Sequence, residues 1–156
     1  KYPLKCVEVF NRISARIEKS GGANYQVAAE LTTSRQKLVK SAVVMPNELK
    51  AAGMLVFTRH GTLAKYAAWM RPQYSAIFAV CPEADVAESL ALCWGVYPVV
   101  VPFTHRESEP LVGNALKQLL AANRLKKGDQ IVIVSSIATG TTHADAIQMR
   151  TVGEAE

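Results

Sequence analysis

Apolar residues recur along this chain at two alternating periods. Leu4, Val7, Phe10, Ile13 and Ile17 fall at helical spacing after Pro3, whose ring suits a first helical turn. Lys5, Glu8, Arg12, Arg16 and Lys19 take the other face, and Gly21-Gly22 predicts the stop. A second helix is expected from Thr32-Thr33 to Gly53, carrying Leu38, Ala42, Met45 and Leu49. Pro46 falls inside it, removes one backbone hydrogen bond to the preceding turn, and should kink or split the helix.

After Gly53 short apolar runs alternate with amphipathic ones. Met54 to Thr58 reads as a strand buried on both faces, and Thr62 to Met70 as a helix. Ala76 to Cys81 is the next strand, followed by a helix over 84–94 that ends at Gly95. Val96 to Val101 is a third strand, and a helix covers 109–124. Gln130 to Val134 is a fourth strand, and Ala146 to Val152 a last one with alternating faces. Nearly continuous apolar strands between helices predict an α/β protein, a three-layer α/β/α sandwich on a mostly parallel sheet. The last strand follows the fourth without a helix, so it should run antiparallel to it.

At 156 residues and 16.9 kDa there is room for one ordinary domain, and 49% apolar residues suffice for a packed core. No apolar run reaches the length of a membrane span, and Lys1-Tyr2-Pro3-Leu4 does not open a signal peptide. The start without Met predicts a cut upstream or an excised piece. Cys6, Cys81 and Cys93 are scattered and form no C-x-x-C pair, which argues against disulfides or zinc and suits the cytoplasm. A net charge of +5 is spread along the chain, so neither nucleic acid nor a membrane is an expected partner.

Ligands of open α/β sheets gather at the carboxyl ends of the strands, near the point where strand order reverses. Two segments stand there. Thr58-Arg59-His60-Gly61-Thr62 joins a strand end to a helix N-terminus, which aims free N–H groups and a positive dipole at an anion. Arg59 adds a planar fork of donors, and the two threonines add hydroxyls. Ser135-Ser136-Ile137-Ala138-Thr139-Gly140-Thr141-Thr142-His143 reads as a hydroxyl-rich loop after the fourth strand. The anion-site candidates are therefore Thr58, Arg59, His60, Gly61, Thr62, Ser135, Ser136, Thr139, Gly140, Thr141 and Thr142. A pair of ordinary polar turns, with Gly61 supplying only a conformation, explains the same residues as well. Neither segment matches a P-loop or a dinucleotide fingerprint. His105 and Arg106 read more simply as a solvated loop, Cys81 as a buried thiol, and Cys93, Trp94 and Tyr97 as packing residues. No catalytic set, metal-ligand cluster or cofactor motif emerges.

Laid in order, these stretches resemble the C-terminal domain of pyruvate kinases. Leu90-Ala91-Leu92-Cys93-Trp94-Gly95-Val96-Tyr97-Pro98 is close to that family's L-A-L-x-W-G-V-Y-P. Thr58 to Ala64 resembles its T-K-x-G-x-S-A loop, and Met70-Arg71-Pro72 its R-P corner. Lys127 to Val134 and Gly140-Thr141-Thr142 resemble its K-G-D-x-V-x-V strand and G-T-T-N turn. Residues 1–23, through Lys1-Tyr2-Pro3 and the Arg12-Ile13 and Ile17-Glu18-Lys19 pattern, resemble the family's last barrel helix, and residues 24–156 the α/β domain.

The resemblance implies about five strands in the order 3-2-1-4-5, which puts the switch point between the two segments above. It implies a regulatory, effector-binding and oligomerising domain of a glycolytic phosphotransferase. Its partners would be a sugar phosphate or another phosphate-bearing effector, its own barrel, and further copies of itself. The phosphoryl-transfer lysine and the Mg²⁺ and K⁺ sites of the family lie in the barrel, so this segment alone is expected to have no cofactor and no activity. Three departures bear on the effector: Leu63 replaces a serine, Arg59 a lysine, and His143 the asparagine after Thr-Thr. A free-standing phosphate- or sugar-phosphate-binding protein of the same fold is the alternative, and a small enzyme using Cys81 or His60 a distant third.

Overall fold

The computed structural model describes residues 2–19, 25–103, 109–139 and 142–153. Gly21-Gly22, His105, Arg106, Gly140 and Thr141 lie outside the described residues, as do the side chains of Ser136, Thr139, Thr142 and His143.

The described elements are α1 (Pro3–Lys19), α2 (Tyr25–Ala28), α3 (Ser34–Leu49), β1 (Gly53–Phe57), α4 (Thr62–Met70), β2 (Ala76–Cys81), α5 (Ala84–Leu90), β3 (Val96–Val100), α6 (Glu109–Ala121), β4 (Gln130–Thr139) and β5 (Thr142–Thr151). They build one five-stranded sheet in the order β3-β2-β1-β4-β5. The first four strands are mutually parallel, and β5 is antiparallel to β4. This is the expected three-layer α/β arrangement.

Side-chain alternation along the strands sorts the core into two layers. Leu55 and Phe57 of β1, Phe78 and Val80 of β2, and Ile131 and Ile133 of β4 pack with Leu111, Val112, Ala115 and Leu119 of α6. Met54, Val56, Ile77 and Val134 point the other way, onto Val39, Ala42 and Val43 of α3 and Ala67 and Ala68 of α4. Small residues on α4 let that helix approach the sheet closely.

Helix α3 departs from expectation in two ways. Of the kink or split expected at Pro46, the split does not occur: the helix runs through Pro46 to Leu49, and the ring is buried. As anywhere in a helix interior, this Pro forfeits its one N–H bond to the carbonyl four residues back, and here its buried ring adds apolar contact. The helix also stops before Gly53. Lys50 turns left-handed at φ 51°, and Ala51 N–H reaches back 3.0 Å to the Pro46 carbonyl. At the other end Thr33 and Gln36 form a capping box: the Thr33 hydroxyl accepts from Gln36 N–H at 3.3 Å, and Gln36 Oε1 accepts from Thr33 N–H at 3.0 Å.

A third difference concerns the segment after the fourth strand. It is strand for most of its length, because β4 continues to Thr139 and β5 begins at Thr142, with Thr139 opposite Thr142. The antiparallel ladder with β5 satisfies backbone groups of this polar stretch that β1, ending at Phe57, no longer reaches.

Helix α1 keeps its amphipathic pattern and has no buried residue. Leu4, Val7, Phe10, Ile13 and Ile17 are each at least half exposed, between 52% and 78%.

Candidate functional site

The β1–α4 junction is a strand, a turn and a helix start within a few residues. Thr58 prolongs β1 by one step, donating its N–H to the Val80 carbonyl at 2.9 Å, and is buried. Arg59 and His60 follow, both exposed. Gly61 then caps α4 at φ 82°, a conformation that costs little only without a Cβ, and no side chain caps the helix there. The first-turn N–H groups of α4 thus have no intrahelical acceptor and sit at the positive end of the helix dipole. Leu63 turns toward the sheet and packs on the α3–α4 core layer.

β4 is the immediate neighbour of β1, so the turn and the extended β4 do leave from adjacent strands at the switch point. Val56 is opposite Val134, which brings Ser135 level with Phe57. Their side chains share a face of the sheet, whereas Thr58, one residue on, shares the face of Met54 and Val56. Thr58 and Ser135 are therefore neighbours along the sheet edge with side chains on opposite faces. Ser135 is 3% exposed, and its hydroxyl finds no hydrogen-bond partner among the described residues. Ser136, Thr139 and Thr142 are placed by their backbones in the β4–β5 ribbon.

The other candidates resolve into packing. Cys81 is wholly buried with Sγ 3.8 Å from the Val99 carbonyl, and burial pushes its thiol above the usual range, away from nucleophilic thiolate. Trp94 lies under the Arg71 guanidinium, 5.6 Å from its ring centroid, and Tyr97 under Arg124 at 4.5 Å. Among the described residues, no cluster of three His, Cys, Asp or Glu side chains could hold a metal ion, and no helix is long and apolar enough to cross a membrane.

Two features escaped the sequence reading. Glu109, at the start of α6, takes a two-pronged ion pair from Arg150 of β5, with the second prong at 2.9 Å. Trp69 and Leu92 are 63% and 97% exposed beside Arg71 and Trp94. The sequence reading assigned neither Trp69 nor Leu92 a role, and only the packing shows how far each stands exposed.

The family model for the pyruvate kinase alpha/beta domain matches residues 36–149. The chain belongs to this family. The match spans α3 through nearly all of β5, and so includes both candidate segments. The chain is 29% identical to the pyruvate kinase of Staphylococcus saprophyticus over 149 residues, covering 90% of this chain and 24% of that protein. It is 32% identical to plastidial pyruvate kinase 3, chloroplastic, of Arabidopsis thaliana, covering 87% of this chain and 24% of that one. Among solved structures it is similar to Cryptosporidium parvum pyruvate kinase in complex with ADP, with a TM-score of 0.71 at 20% identity, over 80% of this chain and 24% of that one. The domain thus spans about a quarter of the length of these relatives.

Proposed function

We propose that this is the regulatory and subunit-association domain of a pyruvate kinase, binding a phosphate-bearing effector at the carboxyl edge of its sheet. The observation that carries the reading is the β1–α4 junction. There an uncapped helix N-terminus, a left-handed glycine and Arg59 meet at the switch point of a pyruvate kinase α/β domain. Backbone N–H groups and a guanidinium suit a phosphoryl oxygen. Leu63 offers that oxygen no hydroxyl, so one phosphate group is a better fit than two.

Two surfaces support association. The edge strand β5 is ten residues long, and an edge strand of that length is a template for pairing with another chain. The apolar stripe of α1 is the surface a catalytic barrel would cover. Burying even three of its side chains is worth about 5–8 kcal/mol. The scattered cysteines, with Cys81 held as a buried thiol, fit the cytoplasm as its compartment.

The test is thermal unfolding with inorganic phosphate, sulfate, hexose monophosphates and fructose 1,6-bisphosphate. Ligand at about 100 times its dissociation constant adds about 2.7 kcal/mol, a rise of roughly 5–11 °C for a domain of this size. Arg59→Ala should remove most of that rise. If no phosphate compound moves the curve, the effector reading fails. The domain by itself should form no pyruvate from phosphoenolpyruvate and ADP, because phosphoryl transfer needs positioned cations and carboxylates that its described residues do not assemble.

A further inference from the structure

We draw no further inference here: the strongest candidate, the shallow groove at the amino edge of the sheet lined by Ala68, Trp69, Arg71, Leu92, Cys93 and Trp94, carries nothing because nothing in the structure shows what covers it.

Discussion

Gly53 lies against the ring of Phe78, so that a Cβ at Gly53 would stand 2.8 Å from Phe78 Cδ2 and closer still to Cε2. The two residues face the same core layer from neighbouring strands, since Gly53 pairs with Ala76 and Leu55 with Phe78. Phe78 has little room to retreat. It is 2% exposed, and Tyr97 meets it edge-on at 6.2 Å between centroids. Gly53→Ala should therefore overpack the sheet and destabilise the domain by about 1–3 kcal/mol. Urea unfolding reads this as a lower midpoint, and an unchanged midpoint would mean that the ring moves freely.

The pair between Glu109 and Arg150 gives a pH signature. The hydrogen bond from Arg150 is the main cause holding the Glu109 carboxyl below its usual range, opposed by desolvation and helped by the guanidinium charge. A carboxyl lowered in the folded state adds stability above its unfolded pKa and loses it as pH falls through the folded value. Glu109 is exposed, so solvent screening keeps the contribution within about 1 kcal/mol. Glu109→Gln should lower the denaturation midpoint at pH 7, and the difference from the parent chain should vanish as pH falls through the lowered folded-state value. Equal midpoints at neutral pH would show that the pair contributes nothing.

Ser135 offers a mutation expected to stabilise. Its hydroxyl is buried and unpartnered among the described residues, and leaving such a group unsatisfied costs about 1–3 kcal/mol. Ser135→Ala removes the group at little loss of volume, so the melting temperature without ligand should rise by a few degrees. The same variant reports on the anion site. The side chain lies on the α6 face, away from α4, so the phosphate-induced rise should persist; its loss would place this hydroxyl on the ligand.

Helix α1 should make the isolated chain associate. An apolar stripe with Phe10 at 73% exposure and Leu4 at 78% is a larger wet surface than monomers usually keep. Sedimentation velocity should show a concentration-dependent shift toward larger species, and Phe10→Glu with Ile13→Glu should reduce it. Since α1 has no buried residue, those changes should leave the melting temperature almost unmoved. A strictly monomeric parent chain would count against the idea.

Periodicity by itself determined most of the sheet. The apolar run Ala76 to Cys81 and the helical run Thr62 to Met70 appear as β2 and α4 with those same ends, because their burial is nearly complete and turn residues flank them. The antiparallel last strand was legible from the short connection, and the turn at Gly61 from its glycine between a strand and a helix.

Tertiary structure decided the rest. Ser135 to Thr139 looks like a loop by composition, yet the β4–β5 ladder makes it strand, since pairing partners rather than side-chain polarity fix its backbone. Pro46 stays in its helix because the ring is buried one turn from the end. Lys50, rather than a glycine, closes that helix in the left-handed region, and Gly53 serves Phe78 instead. Sequence chemistry put Thr58 and Ser135 in a single list of candidate site residues. The register of β1 against β4 makes them neighbours along the sheet edge, and the two-residue alternation of strands turns their side chains to opposite faces.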